Sequence, residues 1–263
     1  MKYFRLRLSY MIVLVFLMFS CKKSTTVPVN SYQLAYSDSI FYINNQTTDI
    51  LASPVNAKAG SFTAFPEGLV INSTTGIINV SQSEAGMRYR INFLGTDGVA
   101  STSFIVISGI NFPDKYYKIE SADTMALPWY NASPSIALPS GTFDENKVAN
   151  NSGCAMKTTN GQINLMQSIR NGLFGNTPKN DTRKDFEVVY RLNDRSNNAL
   201  NKIKILIYYY NKMSDVPATL TQTVLDHQAM TFQPNNTTVG NTIASSAAAK
   251  PRPPCIIIIG HNN

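Results

Sequence analysis

Histidine is almost missing from this chain. His227 and His261 are the only two in 263 residues, so any mechanism that needs an imidazole must use one of them. A Ser–His–Asp arrangement needs a histidine oriented by an acid. Asp226 adjoins His227, but adjacent side chains point apart, and no G-x-S-x-G elbow is present. Neither histidine stands in a His-Glu-x-x-His or Cys-x-x-Cys setting, so zinc is not expected. Charge is also sparse, at 15% of residues, which is low for a soluble protein. No block of one sign occurs, which argues against nucleic acid as a partner. Two carboxylate pairs, Asp144–Glu145 and Asp185/Glu187, have the residue types of a glycosidase. The first falls in a polar loop, and the second falls on the outward face of a strand pattern, where solvated charge is the ordinary reading. The expectation is a chain with no catalytic residues, no metal ligands and no cofactor.

The N-terminus, by contrast, is rich in signal. Lys2, Arg5 and Arg7 make a basic start, Met11 to Phe19 is an unbroken apolar run, and the small Ser20 precedes Cys21. A basic region, a short apolar core and a small residue before the cut describe a secretory signal over residues 1–20. The run is short for a membrane span, which needs roughly 20 apolar residues. Leu17-Met18-Phe19-Ser20-Cys21 resembles the lipobox of bacterial lipoproteins. It departs from the usual pattern at Phe19, which is bulky. The resemblance implies lipid on Cys21, export, and anchoring to the cell envelope, at the outer membrane of a Gram-negative bacterium. A plain signal peptide cut nearby and an uncleaved anchor are the alternatives. Residues 21–33 then read as a polar tether. Removing Lys2, Arg5 and Arg7 from a formal net charge of +7 leaves about +4.

The rest of the chain is built for strands. Apolar residues make up 43%, enough for a packed core, and Asn, Ser and Thr supply most of the polarity, which favours turns and strands over long helices. A repeat lies within it. GLVINSTTGIINVSQS from Gly68 and GCAMKTTNGQINLMQS from Gly153 align at an offset of 85 residues, with seven of sixteen positions identical. That period suits a small β-sandwich domain rather than a solenoid unit. Each copy reads as a short strand, a tight turn whose glycine (Gly76 or Gly161) takes positive φ, and a returning strand. Longer strands follow. Met87, Tyr89, Ile91 and Phe93 alternate with polar residues, as do Phe186, Val188, Tyr190 and Leu192, and strands are expected over 101–108 and 202–210.

Pro66-Glu67-Gly68-Leu69, Thr74-Thr75-Gly76-Ile77-Ile78, Ala85-Gly86 with Tyr89, and Thr96-Asp97-Gly98 resemble the Ig-like, cadherin-like modules of bacterial surface proteins. The resemblance covers about residues 34–109 and departs at Asn79-Val80-Ser81, where the family usually has Gly-Thr-Pro. It implies an all-β fold of two tandem Ig-like sandwiches, over 34–110 and, in diverged form, 111–214. A C-terminal extension over 215–263 holds an Asn/Ala/Ser/Pro-rich linker and a final short strand, Cys255 to Ile259. Cadherin-type modules often hold calcium with clustered acids. Only Asp114 stands near the junction, so no calcium site is expected.

With Cys21 given to lipid, Cys154 and Cys255 remain. They can pair in an oxidising compartment or stand as buried thiols; Cys154 falls where the first copy has Leu69, which favours the thiol. Trp129, the only tryptophan, with Tyr130 and Tyr208, are the candidate glycan contacts, set against the ordinary use of aromatics in cores. The functional expectation is a non-enzymatic binding, adhesion or spacer module. Its partners would be the membrane, through Cys21, and a glycan or envelope protein. The alternative is an accessory glycan-binding or glycan-degrading lipoprotein.

Overall fold

Short alternating runs separated by Gly, Asn and Asp fold into pairs of facing sheets. The computed structural model describes residues 32–231 and 252–261. Cys21, the apolar segment before it and the linker at 232–251 lie outside the described residues. Seven strands come first: β1 (Ile40–Phe41), β2 (Leu51–Ala52), β3 (Gly60–Phe65), β4 (Val70–Ile71), β5 (Ile78–Asn79), β6 (Met87–Gly95) and β7 (Ala100–Ile107). One sheet has the order β1-β7-β6-β3 and the other β2-β5-β4. The β1–β7 pairing is parallel and the rest antiparallel. Strands three, six and seven share one sheet and strands two, four and five the other, which is the immunoglobulin arrangement. In β6, Met87, Tyr89, Ile91 and Phe93 are buried while the residues between them are not; this alternation places one face of the sheet on the core. The Tyr89 hydroxyl donates to the Glu84 carbonyl at 2.8 Å, a corner contact typical of this fold at the start of the sixth strand.

The second half repeats the plan. After β8 (Ile110–Asn111) come β9 (Lys115–Lys118), β10 (Met125–Ala126), β11 (Trp129–Tyr130), β12 (Gly141–Phe143), β13 (Ala155–Met156), β14 (Ile163–Asn164), β15 (Thr182–Leu192) and β16 (Asn201–Tyr210). The smaller sheet, β10-β14-β13, answers to β2-β5-β4. The repeat corresponds atom by atom. The Phe62 N–H donates to the Ser73 carbonyl, and the Phe143 N–H to the Thr158 carbonyl, both at 2.8 Å. Ser83 Oγ accepts from Val70 N–H and donates to the Asn79 carbonyl. Ser168 Oγ does the same with Ala155 and Asn164. Seven identities in sixteen positions therefore preserve a strand–turn–strand and the serine that ties its two strands together. In the second copy the chain continues into a short helix, α2 (Leu165–Arg170), begun by the Asn164 side chain accepting from Gln167 N–H.

The large sheets of the two halves differ in one strand. In the first, β1 pairs directly with β7. In the second, β17 (Cys255–Ile259) lies between β9 and β16, parallel to both, so the large sheet runs β12-β15-β16-β17-β9. All five of its residues are buried. Ile256 and Ile258 enter the sandwich core. Cys255, Ile257 and Ile259 face the other way, into a second cluster with Val224 and Tyr210. The cover on that side is α3 (Ala218–Thr231), which brings Val224 and Leu220. A strand buried on both faces needs no alternation, which explains the unbroken Ile run. This layout also decides between the two cysteine readings. Cys154 and Cys255 are free thiols, in clusters on opposite faces of the sheet, so the disulfide reading is corrected to two buried thiols.

The sandwiches meet through a hydrogen-bonded junction, and the described residues from Gln33 onward form one compact unit. β8 pairs with β11. Gly109 N–H donates to Asn131 Oδ1, and Asn131 N–H returns to the Gly109 carbonyl. The Tyr130 hydroxyl donates to Asp194 at 2.7 Å, with Ser108 Oγ within 3.2 Å of both. At the surface Arg195 reaches Asp38 across the junction. Deeper in, Ile110 N–H donates to the hydroxyl of fully buried Tyr190 at 3.1 Å. Tyr190→Phe strands that N–H, which should cost about 1–3 kcal/mol. Urea unfolding of the two proteins measures it, and a change under about 0.5 kcal/mol would show that the bond does not hold the junction.

Candidate functional site

Trp129 opens the site. β11 turns its two side chains opposite ways: Tyr130 inward to Asp194, and Trp129 partly exposed. Trp129 lines a groove of about 480 Å³ together with Met125, Leu127, Tyr117, Lys115 and Gln228. Met125 and Leu127 are among the exposed large hydrophobics of the protein, so the groove presents contiguous apolar surface. Lys115 lies over the Tyr117 ring, 4.8 Å from its centroid, and its ammonium pairs with Asp123 at 2.8 Å. β9 is the edge of its sheet, and this is why strand residues can line an open groove.

Of the three aromatics expected to contact a glycan, only Trp129 is placed to do so. Tyr130 is a buried junction residue whose hydroxyl pKa is pushed up, first by burial and then by Asp194. Tyr208 stacks on Tyr210 with ring centroids 6.4 Å apart and packs in the cluster beneath α3. The Asp144–Glu145 pair lies in a loop, as expected, with Glu145 exposed but Asp144 enclosed. Asp144 is buried and accepts from Ala149 and Asn150 N–H groups, which starts the helical turn α1 (Val148–Asn151). Glu145 bonds Arg191 at 3.1 Å.

At one end of the groove the structure assembles a group that local spacing could not reveal. Asp114, which lines the groove, accepts at Oδ1 from Cys255 N–H at 2.7 Å and lies 2.8 Å from His227 Nδ1. Gln228 donates to the Asp114 carbonyl at 2.7 Å. The acid that orients His227 is therefore Asp114, 113 residues away. Its neighbour Asp226 instead accepts from Gln222. Asp114, His227 and Cys255 are all buried, and their donor atoms lie within 4.8 Å of one another. The three types match a Cys–His–Asp triad, but the sulfur is wrong for attack. Cys255 is 1% exposed, and burial, reinforced by Asp114, pushes its thiol up to about 12. A protonated, enclosed thiol is not a nucleophile.

No family model matches this chain, and no curated protein does. Solved structures do match it. One is the extracellular cadherin domains 1–4 of protocadherin gamma B7, similar at 11% identity over 68% of this chain, with a TM-score of 0.21. This chain spans about half the length of that one. The Ig-like class rests on the strand order described above.

Proposed function

We propose that this protein is a non-enzymatic binding module of the bacterial cell envelope, exported and held there through lipid on Cys21, whose ligand site is the Trp129 groove. The observation that carries the reading is an indole at the mouth of an apolar groove, with the Lys115 ammonium and the Gln228 amide at its margins. Aromatic faces pack against the C–H faces of sugars, and polar margins supply hydrogen bonds to hydroxyls, so a glycan of the envelope or of its surroundings is the ligand class that fits. The frame suits a binding role. Loops and edges on a fixed sandwich are where recognition sits, and here the second sandwich is fastened to the first. The non-enzymatic reading is supported by the enclosure of Cys255 beside the only buried histidine among the described residues.

A glycan array and titration calorimetry test it. Trp129→Ala should weaken binding about tenfold or more, which is about 1.4 kcal/mol. Tyr208→Phe, which alters an aromatic outside the groove, should leave binding unchanged. Folded wild-type protein that binds no glycan, or binds one equally well without Trp129, would refute the sugar reading.

A further inference from the structure

We propose that Asp114, His227 and Cys255 form a zinc site. Asp114 carries the argument. The residue is 1% exposed. One oxygen, Oδ1, is used by His227 and by Cys255 N–H, while the other, Oδ2, has no hydrogen-bond partner although it is buried. A buried carboxylate oxygen with no partner is costly, and a cation bound there removes the cost. The neighbouring donors say which cation. A thiol sulfur and an imidazole nitrogen beside one carboxylate are zinc ligands; calcium and magnesium take oxygen ligands.

The geometry is close to that of a bound ion. Tetrahedral zinc bonds of about 2.0–2.3 Å set ligand atoms about 3.3–3.8 Å apart. The donor atoms here lie within 4.8 Å of one another, so closure on an ion needs shifts of about 1 Å. Asp114 and Gln228 also line the Trp129 groove, so the groove is the side from which an ion and a water as fourth ligand would approach. On binding, Cys255 gives up its thiol proton to solvent and ligates as thiolate. The three ligands come from the segment before β9, from α3 and from β17. One ion would therefore join the inserted strand to the elements on either side of it.

The test uses the full chain in detergent, stripped of metal with a chelator and titrated with Co²⁺ and then Zn²⁺. One equivalent of Co²⁺ should bind with a thiolate-to-cobalt charge-transfer band, and Zn²⁺ should displace it. Cys255→Ala, which removes sulfur without adding bulk or charge, should abolish the band and weaken Zn²⁺ binding at least about 100-fold, with circular dichroism reporting that the fold is kept. His227→Gln should weaken Zn²⁺ binding about 10-fold or more, and Cys154→Ala should leave it unchanged. Folded wild-type protein that takes up no stoichiometric Co²⁺ overturns the site. So does a charge-transfer band that survives in Cys255→Ala, or Zn²⁺ affinity that is indifferent to His227→Gln.

Discussion

A chain that stops before Cys255 should fail to form its second sandwich. β17 is not an appendage to a finished sheet: it supplies hydrogen bonds to β16 on one side and β9 on the other. Its loss would leave the facing edges of both strands unpaired inside the protein, and unpaired buried backbone groups are among the most expensive defects in a fold. Its four isoleucines are at most 1% exposed, and each contributes about 1.5–3 kcal/mol by leaving water. That sum rivals the whole stability of an ordinary domain, about 5–15 kcal/mol. Single substitutions grade the effect. Ile258→Val should cost about 0.5–1.5 kcal/mol and Ile258→Ala about 2–5 kcal/mol. Ile258→Asp places a charge in the sandwich core and should cost more than about 4 kcal/mol. Hydrogen exchange can follow the two sandwiches separately. The truncated chain should lose protection in β15 and β16, and full protection there would show that the sheet closes without its inserted strand.

Gly76→Ala and Gly161→Ala should each destabilise the protein by about 2–4 kcal/mol, and by similar amounts. Both glycines have positive φ, 71° and 67°, where an L side chain costs roughly 1–2 kcal/mol. Both also lie against a buried aromatic ring. A Cβ at Gly76 would sit 2.6 Å from the Phe62 ring, and one at Gly161 would sit 2.7 Å from the Phe143 ring. Phe62 and Phe143 are core residues of their sandwiches and cannot swing away without opening a cavity. Gly98 separates the two effects. Its φ is also positive, but nothing lies within 4 Å of its would-be Cβ, so Gly98→Ala should cost only about 1–2 kcal/mol. Equal losses at all three positions, read from urea midpoints, would mean that the ring contact contributes nothing.

These two expectations differ in how far the sequence foretold them. The turn glycines were legible, because a tight turn is a local object: Thr74-Thr75-Gly76 and Thr159-Asn160-Gly161 carry their own conformational requirement. The alternating strands were legible for the same reason, since period two is written into adjacent residues. The Ile run of β17 read as a strand, but not as an inner one. Its place beside β9 joins residues 141 positions apart, as the Asp114–Cys255 hydrogen bond records, and no local pattern encodes such a partner. The same distance concealed the metal-type cluster. Asp114, His227 and Cys255 were each visible singly, and only the pairing of β17 with β9 under α3 brings them together. Asp144 misled in the opposite direction, because a polar loop residue gives no sign that it will be buried as the start of a helical turn.

The sequence by itself determined the local grammar of this protein: two rounds of strand–turn–strand with their glycines, and two stretches of alternating strand that could bury only one face. That grammar pointed to β-sandwiches, because such strands are stable only against another sheet, and the resemblance of residues 34–109 to cadherin-like modules implied the tandem Ig-like pair. The tertiary structure decided which strand completes the second sandwich, which of Trp129, Tyr130 and Tyr208 faces a groove, and which acid meets His227. Each of these depends on contacts between segments far apart in the chain. Such contacts are selected by the burial and hydrogen bonding of the whole fold, not by the residues on either side of them.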